Sequence, residues 1–254
     1  MGVQAIARAA DVRRALEVEP GGLSLAKIAQ RVELPRSTVH RIVTALEAES
    51  LVVPASPSGG YRLGPELARF AASAGGELRG SVCPASERLR YEADETVALA
   101  ALNRDRIFFI DQVTAPHRLQ ALSAVRVSLP AHCTAIGKAL LAGLTDEQVE
   151  RLLPKRLPAE TANTITDREE LLADLARVRA SGVAYDREEL TIGISAVGAE
   201  IRDASGDASG GVAALSIPVP TARFGGQEEY LAEMLLRTCA EISATQCAHG
   251  HLGS

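Results

Sequence analysis

The chain has 254 residues, long enough for one large domain or two smaller ones. Hydrophobic residues make up 46% and charged residues 23%, a balance that excludes wholesale disorder. The net charge of -5 excludes a molecule that coats nucleic acid through bulk positive charge.

Residues 4 to 17 are predicted to form a first helix, with Ile6, Ala9, Ala10 and Leu16 on the buried face and Pro20-Gly21-Gly22 ending it. Ser24 has the chemistry of an N-cap for a second helix carrying Ile28, Ala29 and Val32. After Glu33-Leu34-Pro35, a third helix is expected from about Pro35 to Ser50, with proline tolerated in its first turn. Leu51-Val52-Val53 and Tyr61-Arg62-Leu63 flank the tip Pro54 to Gly60 and read as a β-hairpin. Helix, helix, tight turn, helix and hairpin is the order of a winged helix-turn-helix.

The third helix is the informative element. Val39, Ile42, Val43 and Leu46 form one apolar stripe at i, i+3, i+4 and i+7. Ser37, His40, Arg41 and Thr44 fall on the opposite face, where hydroxyls, an imidazole and a guanidinium reach phosphates and base edges in a major groove. Arg36 and Thr38 flank that face, Arg36 beside a helix N-terminus that favours phosphate. Arg62 on the hairpin completes the expected DNA-contacting set.

The Ala/Gly/Ser-rich stretch Ser73 to Ser81 is the best boundary, giving domains at 1–64 and 81–248 with a linker helix and hinge at 65–80. Up to residue 80 there are 10 basic and 8 acidic residues, and beyond it 17 and 24. The acidity therefore belongs to the larger part, and a slightly basic reading head precedes it.

In that larger part, Thr96 to Leu102 and Arg106 to Val113 surround Asn103-Arg104-Asp105 as an antiparallel hairpin. A helix follows at Thr134 to Leu144. Thr145 with Gln148, and Thr166 with Glu169, have capping-box spacing and open two more helices. Leu171, Leu172, Leu175 and Val178 give the second of these its buried face, closed by Gly182. Strands at about Ile194 to Ile201 and Val212 to Val219, joined by an Asp/Ser/Gly turn, precede a final helix from about Gln227 to Ala244. The expected class is α+β, an antiparallel sheet with helices.

Chemistry motifs are sparse. There is no G-x-S-x-G, phosphate loop, H-E-x-x-H or dinucleotide fingerprint, so no catalytic residue, cofactor or metal is expected. His132-Cys133 is the one pair that suggests a nucleophile, and packing is the expected role for both. Cys83, Cys133, Cys239 and Cys247 are too scattered for a disulfide framework. No apolar run approaches the ~18 residues of a membrane span, and Arg8, Asp11, Arg13, Arg14 and Glu17 interrupt any signal-peptide core. A cytoplasmic protein is the resulting expectation. The free N–H groups that open the Thr134 to Leu144 helix are a natural seat for a carboxylate.

The stretches Leu23 to Ala29, Leu34 to Arg41 and Tyr61 to Gly64 resemble the DNA-binding domain of IclR-type transcriptional regulators. Thr134-Ala135-Ile136-Gly137-Lys138-Ala139-Leu140-Leu141-Ala142 matches that family's T-A-x-G-K-A-x-L-A segment, and Thr161 to Thr166 and Arg179 to Glu189 match two more in order. The resemblance covers almost the whole chain and implies a GAF-like effector-binding fold, homodimers or homotetramers on a double-stranded, near-palindromic operator, and repression as the more frequent outcome. It carries effector contacts onto Ala135, Ile136, Asp186, Ile194, Ala196 and Ser216. Relatives with Ser-x-Ser differ from Ser216-Ile217-Pro218 here, and some have Cys where this chain has Ala196. Fewer hydroxyls and more apolar surface point to a larger or more apolar effector, an aromatic or aliphatic carboxylate. The competing readings are a small-molecule-processing enzyme with an appended winged-helix adaptor, and a protein-interaction module.

Overall fold

The computed structural model describes residues 2–19, 21–55, 59–116, 128–202 and 213–250. The chain divides into two compact units, Met1–Glu77 and Leu78–Ser254.

In the first unit, helices α1 (Gly2–Glu17), α2 (Leu25–Arg31) and α3 (Arg36–Ala48) precede the antiparallel strands β1 (Val52–Pro54) and β2 (Tyr61–Leu63). Ser24 caps α2 by accepting from the Lys27 N–H. The core is Val12, Leu16, Leu23, Ile28, Val39, Val43 and Val52. The buried face of α1 is Val12, Ala15 and Leu16, so the expected stripe is corrected: Ile6 is 74% exposed, because the first turns of α1 extend past this core. The middle of the hairpin tip, residues 56–58, lies outside the described residues.

Helix α4 (Glu66–Ala93) runs through the Ala/Gly/Ser-rich stretch, which therefore does not interrupt the helix. Strands β3 (Val97–Asn103), β4 (Arg106–Val113) and β5 (Ser128–Pro130) follow, then helices α5 (Ala135–Ala142), α6 (Asp146–Leu152) and α7 (Arg168–Ser181). The chain continues through β6 (Ala184–Arg187), β7 (Ile194–Ile201), β8 (Ala213–Pro220), the single turn α8 (Thr221–Phe224) and α9 (Glu228–Gly250). The turn expected between β7 and β8 lies outside the described residues. Among the described residues no helix is long and apolar enough to cross a membrane.

Six strands form one sheet in the order β5-β4-β3-β8-β7-β6, antiparallel throughout. Both faces of β7 and β8 are covered, so they lack the polar alternation of a one-sided sheet. One face presents Val97, Leu99, Val197, Leu215, Ile217 and Val219 to the second half of α4 and to α9, which contributes Leu231, Leu235 and Ile242. The other presents Ala98, Ala100, Ala184 and Ala214 to a layer built from α5, α6 and α7. Large side chains thus fill one side and small ones let helices approach closely on the other.

Two caps frame this second layer. Thr145 and Gln148 form the expected capping box of α6. For α7 the expectation is corrected by one residue. Asp167, not Thr166, is the N-cap, accepting from the Glu169 N–H at 2.9 Å, while the Thr166 carbonyl accepts from Leu157 N–H. Asp167→Ala is expected to lower stability by about 1 kcal/mol, with Thr166→Ala costing clearly less, as measured by urea unfolding. Gly182 closes α7 at φ 79°, a left-handed position suited to glycine.

Candidate nucleic-acid interface and effector site

The face of α3 that carries the expected DNA contacts is set by what lies behind it. Val39 and Val43 are buried and Ile42 and Leu46 half-buried, so helix geometry turns Ser37, His40, Arg41 and Thr44 outward, and all four are exposed. Arg36 is exposed at the start of the helix, whereas Thr38 is half-buried at the edge of the stripe. Arg62 is exposed on β2 opposite Val53, and the hairpin is held in place by paired backbone hydrogen bonds between Leu23 and Tyr61 at 2.8 Å. Among the described residues, Arg36, His40, Arg41 and Arg62 make no side-chain hydrogen bond or ion pair. A helix face and a wing of uncommitted cations and hydroxyls is what phosphates and base edges require.

The six expected effector contacts lie on the small-residue face of the sheet or at the helix above it. Asp186 of β6 is directly opposite Ala196 of β7, which is opposite Pro218 of β8. One step along, Ala184 is opposite Gly198, which is opposite Ser216, which is opposite Ala98 of β3. Directly opposed residues share a face, and alternate residues along a strand share it too. Ile194, Ala196 and Gly198 therefore belong to the same patch as Asp186 and Ser216. Asp186, Ala196 and Ser216 are buried and Ile194 half-buried.

The start of α5 rests on this patch. A Cβ at Gly198 would lie 2.5 Å from the carbonyl carbon of Ala135 and 2.7 Å from the Ile136 nitrogen. Only a residue without a side chain permits that approach, and it brings the backbone of Ala135 and Ile136 over the sheet. Thr134 caps α5 by accepting from Gly137 N–H at 3.1 Å.

Three charged residues that the sequence reading did not single out, Lys138, Asp174 and Glu189, lie beside these positions. Lys138, on the otherwise apolar α5, is 2% exposed, and its Nζ contacts Glu189 Oε1 at 2.5 Å and Asp174 Oδ2 at 3.0 Å. Asp174 also pairs with Arg177 at 2.8 Å. Glu189 lies in the turn after β6, whose N–H donates to Asp186 Oδ1 at 2.7 Å. The turn is held by Thr164 and Thr161, which donate to the carbonyls of Glu189 and Glu188 at 2.6 and 2.7 Å. Burial pushes the Asp186 carboxyl up to about 7, and Glu189 is also raised by burial against the opposing pull of Lys138. The available signal was the lysine itself, a lone charge in the run Ala135 to Ala142.

His132 and Cys133 do not form a nucleophile pair. His132 Nε2 donates to the Pro158 carbonyl at 2.9 Å, and burial lowers the tendency of the ring to take up a second proton. Cys133 is fully buried and its thiol is pushed up to about 12 by burial, which keeps it protonated and unreactive near neutrality.

Residues 71–244 match the family model of the bacterial transcriptional regulator IclR C-terminal domain, and residues 5–55 match the IclR helix-turn-helix domain. The chain is 49% identical over 243 residues to the HTH-type transcriptional regulator Rv1719 of Mycobacterium tuberculosis, covering 96% of this chain and 92% of that protein. It is 40% identical to the HTH-type transcriptional regulator TtgV of Pseudomonas putida, covering 95% and 91% of the two chains. A crystal structure of an IclR homolog from Microbacterium hydrocarbonoxydans, complexed with 4-hydroxybenzoate, superposes with a TM-score of 0.81 at 26% identity, covering 96% of this chain and 99% of that one. The matched families and relatives are regulators and not enzymes, which overturns the reading of an enzyme with an appended adaptor.

Proposed function

Because the chain belongs to the IclR family of bacterial transcriptional regulators, with a helix-turn-helix domain and a ligand-binding C-terminal domain, we propose that it is a repressor released by a small organic carboxylate. Helix α3 enters the major groove and the β1–β2 wing touches the flanking backbone. The observation that carries this reading is the exposed face of Ser37, His40, Arg41 and Thr44, backed by buried Val39 and Val43. One slightly basic head supplies few phosphate contacts, so two heads on a near-palindromic operator, in a dimer or tetramer, provide the affinity.

Arg41→Ala is expected to weaken operator binding by ~1–3 kcal/mol if Arg41 reads a guanine. A mobility-shift titration on the DNA flanking the chain's own gene measures this, and unchanged affinity removes Arg41 from the reading face. Arg62→Ala is expected to weaken binding more evenly across sequences and to flatten its salt dependence, as for a phosphate contact.

The effector reading rests on the row Asp186, Ala196 and Pro218 beside the start of α5. Two of the three are apolar, which favours a ligand with a hydrocarbon body and an acidic end. The 4-hydroxybenzoate held by the Microbacterium homolog is of that class. Calorimetric titration with aromatic, aliphatic and short oxoacid carboxylates tests the preference, and tight binding confined to two- and three-carbon oxoacids would refute it.

A further inference from the structure

The charges around Asp186 do not balance. Three carboxylates, Asp174, Asp186 and Glu189, gather about one buried ammonium, Lys138. Asp174 has a second partner in Arg177, whose side chain is mostly exposed and carries that charge out to solvent. Asp186 and Glu189 are left to share Lys138, and Glu189 takes it through Oε1 at 2.5 Å. The other oxygen of Glu189, Oε2, is buried with no hydrogen-bond partner, so the cluster already leaves one carboxylate oxygen short of a donor.

Each element packed on Asp186 presents a defined set of groups. The turn after β6 brings Glu189 and the backbone N–H groups of Glu189 and Leu190, and α5 brings Lys138. The segment before α5 brings Cys133, a neutral thiol, while β7 and β8 bring only Ala196 and Pro218 in its row. No cation contacts Asp186 at ion-pair distance among the described residues.

We infer that Asp186 meets the effector as a carboxylic acid, donating a hydrogen bond to a carboxylate or carbonyl oxygen of the ligand, so that binding takes up a proton and ligands without such an acceptor are refused. This rests on the effector site proposed above. A carboxylate ligand beside an ionised Asp186 would place two like charges in one buried patch, whereas the acid form turns the same contact into a charge-assisted hydrogen bond. A group that is half-ionised at about pH 7 in the empty site must be reprotonated when such a ligand arrives. Affinity therefore falls roughly tenfold for each pH unit above about 7.

Stability carries the same sign. The folded-state value for Asp186 lies above its unfolded value of about 3.9. Its contribution is therefore fully present below that pH and is lost as pH rises through about 7. Asp186→Asn keeps a hydrogen-bond donor without the charge, so at about pH 8 its Tm is expected to equal or exceed that of the unchanged chain.

The deciding measurement needs no ligand. In the full chain with 13C-labelled aspartate carboxyls, the signal lost in Asp186→Asn is expected to titrate near 7. It is expected to move down in Glu189→Gln, which removes the competing carboxylate. Titration below about 5, in the ordinary carboxylate range, or no movement in Glu189→Gln, overturns the proposal. Calorimetry with 4-hydroxybenzoate at about pH 8, in two buffers of different ionisation enthalpy, is then expected to show uptake of nearly one proton. Asp186→Asn is expected to bind with uptake abolished, and binding by the unchanged chain without uptake overturns the proposal. If 4-hydroxybenzoate does not bind a chain whose Asp186 titrates as expected, the aromatic-carboxylate reading fails while the acid form of Asp186 is supported.

Discussion

Lys138→Met is expected to lower the stability of the C-terminal unit by about 3–5 kcal/mol, the usual penalty for removing one partner of a buried ion pair. Methionine fills nearly the same volume, so the loss is electrostatic: Glu189 and Asp174 lose the Nζ that holds them at 2.5 and 3.0 Å. The pH dependence follows from the sign of the Lys138 contribution, which pulls the Glu189 carboxyl down. Without it Glu189 keeps its proton to higher pH, so the destabilisation shrinks towards about pH 5 and grows towards about pH 8. Urea unfolding at both pH values measures this. Adding Glu189→Gln to Lys138→Met is expected to recover a substantial part of the loss, because a neutral amide needs no ammonium. A single-variant loss below about 1 kcal/mol would show that the pair behaves as a solvated surface bridge.

Gly198→Val is the second large effect. The first atom of any side chain there falls 2.5 Å from the Ala135 carbonyl group, and the obstacle is backbone, which cannot rotate aside. Helix α5 must lift from β7, at a cost of about 1–3 kcal/mol or more. Gly198→Ala already introduces the colliding atom and is expected to show the same effect in weaker form. Because the start of α5 also overhangs Asp186 and Ala196, carboxylate binding in calorimetry is expected to fall more steeply than stability. Unfolding curves that coincide with those of the unchanged chain would mean that α5 does not rest on Gly198.

Much of this architecture is legible from periodicity. The stripe Val39, Ile42, Val43 and Leu46 orients α3 and its outward residues, and the capping box at Thr145 and Gln148 starts α6 as expected. Local pattern fails where tertiary structure decides. Ile6 fits a helical stripe, yet no core lies beneath it. Thr166 has the right spacing to Glu169, but its carbonyl is committed to Leu157, and the neighbouring carboxylate caps the helix instead. Strand β6 has only four residues and ends in Asp186-Arg187, too short and too charged to announce itself. Its partnership with β7 exists only once long-range pairing is formed.

The candidate site divides along the same line. The segment containing Ala135, Ile136 and Lys138 is a contiguous pattern in the sequence. The row Asp186, Ala196 and Pro218 comes from three separate strands, and only registry reveals it. Lys138 was visible as a lone charge in an apolar run, but its partners Asp174 and Glu189 lie 36 and 51 positions away, and nothing local points to them.

The unequal faces of the central sheet have a consequence for how this molecule can change. Cohesion is concentrated where Leu215, Ile217, Leu231 and Leu235 interlock, each worth roughly 1.5–3 kcal/mol of burial. The opposite side, with Ala98, Ala184, Ala196 and Ser216, contributes far less apolar area per residue. With the effector seated as proposed above, substitutions there reshape which small molecule is accommodated while the interlocked side keeps the chain folded. The sheet acts as a partition between durability and adaptability, and new chemical signals can be acquired on one side without renegotiating the other.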